Sequence, residues 1–78
     1  MEHIVSTINE ICNKHEYSSC KEFMDLLDSK VPYNLFVMKL ADITREIIKE
    51  AKKTGRYNDY EILEGIIGDL ESSIEYDI

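Results

Sequence analysis

Residues 32–53 read PYNLFVMKLADITREIIKEAKK, and this stretch decides the fold because it is long, uninterrupted and strongly periodic. Its apolar residues recur every three to four positions, which is the spacing of one face of an α-helix. That face comprises Phe36, Leu40, Ile43, Ile47 and Ala51, widened by Val37, Ala41 and Ile48. An apolar surface of about 160° of arc predicts a helix that packs against more than one neighbour. Pro32 suits its first turn, where a missing N–H costs nothing.

Three further segments show the same helical period. They cover about residues 2–15, 20–30 and 59–76. In the first segment the predicted apolar face is Ile4, Ile8, Ile11 and His15, with Val5 and Cys12 beside them. In the second it is Cys20, Phe23, Met24, Leu27 and Val31. In the third it is Tyr60, Leu63, Ile67, Leu70 and Ile74, with Ile62 and Ile66 alongside. No segment alternates with period two, and the connections are short. The sequence therefore predicts one all-α domain over residues 1–78, a small bundle of about four helices with short loops.

Signals at the predicted helix ends support these boundaries. Gly55 predicts the left-handed residue that ends the third helix. Ser19 with Glu22, and Asn58 with Glu61, have the spacing of capping boxes. In a capping box each side chain accepts a hydrogen bond from a free backbone N–H at the helix start. We therefore expect the second helix to begin after Ser19 and the fourth after Asn58.

The net charge of −7 lies entirely in the last 22 residues. Residues 57–78 hold seven of the 16 acids and no Lys or Arg, so the other nine acids balance the nine bases of residues 1–56. One row on the fourth helix points away from its core face and comprises Glu61, Glu64, Gly68, Glu71 and Glu75, with Asp69 and Tyr60 at its margin. Like charges at this spacing destabilise a helix by a few tenths of a kcal/mol per pair. The row therefore predicts a partner-binding surface, and an ordinary solvated face is the alternative.

Gly65 and Gly68 interrupt the same helix. A glycine inside a helix costs about 1 kcal/mol relative to alanine, so a pair within one turn needs a reason. We expect the reason to be tight packing inside the bundle. The alternative is that the backbone of a partner approaches the surface at Gly68.

A row of bases on the third helix opposes the acidic row. It comprises Arg45, Lys49, Lys52 and Arg56. We expect these bases to pair with Asp42, Glu46 and Glu50 of their own helix, or with the acids of the fourth. We do not expect direct binding to nucleic acid, because the chain is strongly acidic and no aromatic residue interleaves the bases. Two exposed rows of opposite sign would instead favour self-association.

Cys12-x-x-His15-x4-Cys20 is the one pattern that resembles a metal site. A structural zinc site needs four ligands and these residues supply three, so we expect neither a metal nor a cofactor. The N-terminus, MEHIVSTINE, lacks the apolar run of a targeting signal. No stretch approaches the ~20 apolar residues of a membrane helix. We therefore expect a cytoplasmic protein whose two cysteines are reduced thiols.

Motifs for catalysis are absent from the sequence. It contains no glycine-rich phosphate loop, no GxSxG and no HExxH, so we predict that the protein is not an enzyme. Acyl carrier proteins are similar in length and acidity, but Ser18-Ser19-Cys20-Lys21 lacks their Asp-Ser-Leu motif. In size and charge the chain also resembles bacteriocin immunity proteins and phage-encoded inhibitors, without a shared motif. These features favour a small acidic protein of the immunity, antitoxin or phage anti-defence type that inhibits or sequesters a basic protein, such as a nuclease. A helical assembly or adaptor protein that forms a homodimer or larger homo-oligomer is the alternative.

Overall fold

The computed structural model describes the backbone of residues 2–76 and the side chains of residues 2–72. Within this range it has four α-helices and no strand, which confirms the predicted all-α bundle. The helices are α1 (Glu2–Lys14), α2 (Cys20–Asp28), α3 (Tyr33–Lys53) and α4 (Tyr57–Tyr76). In the part of the chain described, no helix has both the length and the apolar character needed to traverse a bilayer.

Neither predicted capping box forms. The Ser19 side chain makes no capping hydrogen bond, and its backbone is already in the right-handed helical region. The helix α4 begins at Tyr57, because the Tyr60 N–H donates to the carbonyl oxygen of Arg56 at 3.1 Å. Asn58 therefore lies inside the first turn and does not cap it.

The turn between α3 and α4 follows the prediction at Gly55. This glycine has φ of +77°, a left-handed conformation that side chains with a Cβ rarely adopt. The Gly55 N–H donates to the carbonyl oxygen of Lys52 at 3.2 Å, and the Arg56 N–H donates to that of Ala51 at 2.9 Å. These two bonds make a Schellman motif, which satisfies carbonyl groups at the helix end and reverses the chain. The helices α3 and α4 therefore form an antiparallel pair.

The hydrophobic core is built around α3, which packs against both α2 and α4, while α1 packs against α4. Its buried apolar residues are Ile8, Ile11, Cys12, Tyr17, Phe23, Leu26, Val37, Leu40, Ala41, Ile43, Ile47, Ala51, Leu63, Ile66 and Leu70. Thr44 is also fully buried, and its hydroxyl donates to the Leu40 carbonyl oxygen at 2.7 Å. Predicted faces on α1, α3 and α4 enter this core, except that Ile62 is exposed and Ile74 lies outside the described side chains.

The predicted apolar face of α2 is partly wrong. Met24 and Leu27 are exposed, whereas Leu26, which the prediction left out, is buried beside Phe23. The reason is that this short helix packs on α3 through one narrow face. Phe23 and Leu26 are three residues apart and share that face, which turns Met24 and Leu27 towards the surface.

The expectation of two reduced thiols is also wrong, since Cys12 and Cys20 form a disulfide. The short connection between α1 and α2 brings the last turn of one helix beside the first residue of the next. The two Cα atoms are 5.8 Å apart, within the usual range for a bridged pair. Neither cysteine is free.

Candidate protein-binding surface

The packing of α4 against the core decides which of its residues form the outer face. Leu63, Ile66 and Leu70 point into the core, which turns the acidic row to the surface. The exposed acids of this face are Glu61, Glu64, Asp69 and Glu71. Glu75, the fifth acid of the predicted site, lies outside the described side chains. The four described acids therefore share one exposed side of the molecule, as predicted from the helical period.

Gly65 and Gly68 lie at the centre of this outer face, so the expected tight packing within the bundle is wrong. Both glycines are exposed, and a Cβ added at either would meet nothing within 4 Å. Neither has a positive φ in the structure. The described part of the chain therefore gives no steric or conformational reason for glycine at these positions.

Arg45 links the outer face to α3. One of its guanidinium nitrogens lies 3.1 Å from Glu71 and another lies 3.0 Å from Asp42. These side chains are substantially exposed, so each pair contributes only about 0–1 kcal/mol to stability. The acidic row is thus partly matched by the basic row, which is one of the two pairings that we expected.

The other three bases of the basic row are engaged with other groups. Lys49 pairs with Glu46 at 3.4 Å, as expected within one helix. The Lys52 ammonium lies 5.8 Å from the centre of the Tyr60 ring, and the Arg56 guanidinium lies 5.5 Å from that of Tyr17. In the described part of the chain no salt bridge connects a base to Glu61 or Glu64. The side chains of both acids are exposed.

Tyr60 marks the edge of the outer face, as predicted. A hydrogen bond to Glu64 raises the pKa of the Tyr60 hydroxyl, and the carboxylate charge and slight burial raise it further. Tyr60 is half-buried against the core, so only part of its ring is exposed at this edge.

Asp59 belongs to a different site from the other acids. It is only 6% exposed, and its Oδ2 accepts a hydrogen bond from the buried Tyr17 hydroxyl at 2.8 Å. His15 Nε2 lies 3.5 Å from the same oxygen. Burial raises the pKa of Tyr17 and the bond to Asp59 raises it further, while Arg56 opposes both effects. Asp59 therefore joins α4 to the connection between α1 and α2.

Glu50 provides the second attachment of that connection. Its Oε1 accepts from the Ser18 N–H at 2.8 Å and the Ser18 hydroxyl at 2.6 Å, and its Oε2 accepts from the Ser19 N–H at 3.2 Å. Burial raises the pKa of Glu50, but the hydrogen bonds from Ser18 and Ser19 outweigh it and leave the pKa below its ordinary value. Glu50 thus holds the N-terminal end of α2 from across the fold, where the predicted capping box does not form.

Sequence reasoning missed these two acids for different reasons. Asp59 was counted only as one of the seven acids of residues 57–78, although its spacing to Leu63, Ile66 and Leu70 places it on the buried face of α4. That signal was present and could have been used. Glu50 was expected to pair with a base of its own helix and instead binds Ser18 and Ser19, which lie 32 and 31 positions away and give no local signal.

The described residues contain no group of three or more His, Cys, Asp or Glu side chains arranged to hold a metal ion. The disulfide also removes Cys12 and Cys20 as thiolate ligands. Comparisons with models of protein families, with curated proteins and with solved structures found no match to this chain.

Proposed function

We propose that this protein is a non-enzymatic binding protein that inhibits or sequesters a basic protein partner through the outer face of α4. The surface comprises Glu61, Glu64, Gly68, Asp69 and Glu71, with Glu75 and Tyr60 included from the sequence pattern. A nuclease, a toxin or another protein that normally binds nucleic acid would present a suitable basic surface. A protein of the immunity, antitoxin or phage anti-defence type would act in this way.

The observation that carries the proposal is the pair of glycines in open space at the centre of the acidic face. Together they cost the isolated helix about 2 kcal/mol relative to alanine. Nothing in the described chain packs against them, so the fold gains no contact in return. A partner whose backbone approaches the helix closely would use the space that the missing side chains leave.

The charge pattern supports the same surface. Arg45 offsets Glu71, but Glu61 and Glu64 carry charge that the rest of the described chain leaves unpaired. A surface of one sign steers an oppositely charged partner and raises the association rate, and salt screens the effect. Steered binding of this kind needs neither a catalytic group nor a cofactor.

The test compares three baits that differ only in which acids are neutralised. The first is the unchanged protein, and the second carries Glu61, Glu64, Glu71 and Glu75 changed to Gln. The control carries the same number of Glu→Gln changes on α1, α2 and their connection, at exposed positions outside any salt bridge: Glu2, Glu10, Glu16 and Glu22. Affinity capture with mass spectrometry identifies basic proteins held by each bait, and surface plasmon resonance then measures the association rate for the captured protein.

We expect the α4 variant to lose at least tenfold in affinity, mainly through slower association, and to lose its sensitivity to salt. The control has the same net charge as the α4 variant but keeps the acids of α4, so it should bind like the unchanged protein. Equal weakening of both variants would mean that net charge alone attracts the partner. Unchanged binding by the α4 variant would reject the proposed surface.

A homo-oligomer is the second candidate, and exposed apolar residues on α3 favour it. Leu35 and Met38 are 41% and 54% exposed on neighbouring turns. Against it, Val37 is fully buried and Ile48 is half-buried against the core, so the wide face of α3 is largely used inside the bundle. A melting temperature that rises with protein concentration, together with a dimer mass in solution, would favour this candidate over the first.

A cytoplasmic location remains part of the proposal, and the disulfide bears on it. Structural disulfides are typical of oxidising compartments, whereas cytosolic ones are usually transient. Trapping the thiols of Cys12 and Cys20 at the moment of cell lysis would measure their state in place. A fully bridged pair in cells would contradict a cytoplasmic location.

A further inference from the structure

The two sulfurs of the disulfide lie in unequal surroundings. Cys12 is buried in the last turns of α1, among the residues of the core. Cys20 is the first residue of α2 and is half-buried. The pair borders an open surface depression of about 610 Å³, whose rim includes Glu16, Ser18 and Lys21. Solvent and small molecules therefore reach the bridge more readily from the side of Cys20.

Charges around the bridge are mixed. The cation nearest in sequence is Lys21, while Glu16 shares the depression and Glu50 accepts hydrogen bonds at the start of α2. These charges partly cancel at Cys20, and the helix N-terminus adds a modest preference for a thiolate there. Access, more than local charge, therefore distinguishes the two cysteines.

The connection that leads into Cys20 is attached to the fold by bonds other than the bridge. Glu50 accepts three hydrogen bonds from Ser18 and Ser19, and Tyr17 donates to Asp59 in a buried contact. None of these bonds involves a sulfur atom. They attach to α3 and α4 the segment that leads into Cys20, whose Cα atom lies 5.8 Å from that of Cys12.

We propose that Cys12 and Cys20 form a thiol–disulfide exchange site for low-molecular-weight thiols and disulfides of the glutathione class. Cys20 is the exchanging cysteine, which meets the small molecule, and Cys12 is the resolving cysteine, which closes the bridge again. The clamp formed by Glu50 and Asp59 keeps the fold and the pair in place in both oxidation states. The site is independent of the proposed partner-binding surface on α4.

The exchange is balanced in atoms and electrons. In the reduced protein the Cys20 thiolate attacks one sulfur of a small disulfide, which forms a mixed disulfide and releases one small thiolate that takes up a proton. Cys12 then loses its proton to solvent and attacks the sulfur of Cys20. The second small thiolate leaves and is protonated. Two electrons pass from the protein to the small disulfide, and the products are the bridged protein and two small thiols.

The test uses the full chain, reduced and then mixed with glutathione disulfide, and intact mass spectrometry follows the products. The variant Cys12→Ser should accumulate a mixed disulfide on Cys20, because no resolving thiol remains. The variant Cys20→Ser should react at least tenfold more slowly, since Cys12 is buried. The unchanged protein should return to the bridged form with little mixed disulfide at any time.

Two further measurements keep the proposal falsifiable. Far-UV circular dichroism of the reduced, unchanged protein at 25 °C should retain its helical signal. Loss of that signal would show that the fold requires the disulfide, and this would overturn the proposal. If Cys20→Ser does not fold, limiting iodoacetamide on the reduced, unchanged protein replaces it, and peptide mapping should find Cys20 labelled first. Equal reactivity of the two cysteines in either experiment would overturn the proposal.

Glu50→Gln tests the clamp. This change weakens the bonds to Ser18 and Ser19, so the connection moves more and Cys12 resolves the mixed disulfide more slowly. We expect the mixed disulfide to accumulate severalfold above the unchanged protein, while Glu46→Gln, on the same helix, has no such effect. Resolution at an unchanged rate in Glu50→Gln would contradict the role assigned to the clamp.

Discussion

The connection between α1 and α2 and the outer face of α4 use acidic residues in opposite ways. Glu50 of α3 and Asp59 of α4 each accept hydrogen bonds from the connection, which is distant from them in sequence, and a disulfide adds a covalent link. On the outer face, Glu61 and Glu64 point to solvent beside two glycines with open space around them. Glu50 and Asp59 therefore stabilise the fold, whereas Glu61 and Glu64 are exposed on its surface. Four predictions test this separation, and they are ordered by expected effect.

The largest effect is expected at Asp59. Replacing it with alanine leaves the buried Tyr17 hydroxyl without its acceptor, and an unsatisfied buried polar group costs about 1–3 kcal/mol. We expect Asp59→Ala to lower the free energy of unfolding by about 2 kcal/mol in urea titrations. The matched control, Glu61→Ala on the same helix, should change it by less than about 0.5 kcal/mol.

A double-mutant cycle sharpens this result. Asp59→Ala and Tyr17→Phe remove the two partners of one bond, so their combined effect should be smaller than the sum of the single effects. Additive effects would show that the bond does not stabilise the fold. In that case Asp59 would differ from the outer acids only in its burial.

The second effect concerns Glu50 and its dependence on pH. Its folded pKa lies below its ordinary value of 4.5, because hydrogen bonds from Ser18 and Ser19 favour the carboxylate despite burial. A lowered carboxyl pKa contributes stability that is present above pH 4.5 and is lost as the pH falls through the folded value. We expect Glu50→Gln to cost about 1 kcal/mol at pH 7 and to have a smaller cost at pH 3.

Urea titrations of Glu50→Gln at both pH values check this prediction. The exposed acid Glu10 provides a control, and Glu10→Gln should leave the pH dependence close to that of the unchanged protein. An equal cost of Glu50→Gln at the two pH values would mean that the carboxylate charge is not what holds Ser18 and Ser19. The connection would then rest on its disulfide and on Asp59.

The sequence predicted the parts of the fold that depend on local periodicity. Four helices, the buried faces of α1, α3 and α4, and the left-handed Gly55 all followed from spacing within short windows. The orientation of α2 did not, because a nine-residue helix has few turns over which an apolar face can be averaged. The start of α2 at Cys20 was predicted correctly, but the capping box was not, because Glu50 of another helix accepts hydrogen bonds from the Ser18 and Ser19 N–H groups.

The sequence predicted the candidate surface about as well as it predicted the fold. The helical period placed Glu61, Glu64 and Glu71 on one exposed side, and the structure agrees. The pairing of Arg45 with Glu71 was one of two alternatives, since helical spacing cannot decide which helix a long side chain reaches across to. The disulfide was missed because reduced thiols were inferred from an expected cytoplasmic location. The sequence does not give the distance between the two cysteines in the fold, which is what allows the bridge.

The third effect contrasts the two glycines of the outer face with Gly55, in the turn between α3 and α4. Gly65→Ala and Gly68→Ala should each raise stability by about 0.5–1 kcal/mol, because alanine favours the helix and open space surrounds the new methyl group. Gly55→Ala should lower stability by about 1 kcal/mol, because its φ of +77° strains a residue with a Cβ. Thermal unfolding followed by circular dichroism measures all three variants.

The affinity of the glycine variants for a partner is a second measurement. If a partner approaches α4 closely, Gly68→Ala should weaken its binding while the protein itself becomes more stable. Destabilisation by Gly65→Ala or Gly68→Ala would show that these positions serve the fold after all. The glycine pair would then give no support to a binding surface on α4.

The smallest effect concerns the charges themselves and divides the outer face into two parts. Glu61 and Glu64 are three residues apart, with no salt bridge to the described bases, so neutralising either should relieve repulsion and raise stability by about 0.2–0.5 kcal/mol. Glu71 is paired with Arg45 at 3.1 Å, so Glu71→Gln should lower stability by a similar amount.

Unfolding in urea at low salt, and again at ~1 M NaCl, measures both changes in stability. Both changes should become smaller at high salt because the Debye length falls to about 3 Å. A loss of stability on Glu61→Gln or Glu64→Gln at low salt would mean that these acids are also engaged within the fold. Glu61 and Glu64 would then belong with Glu50 and Asp59 among the acids that support the fold, and the proposed surface would lose the charges on which its steering of a partner depends.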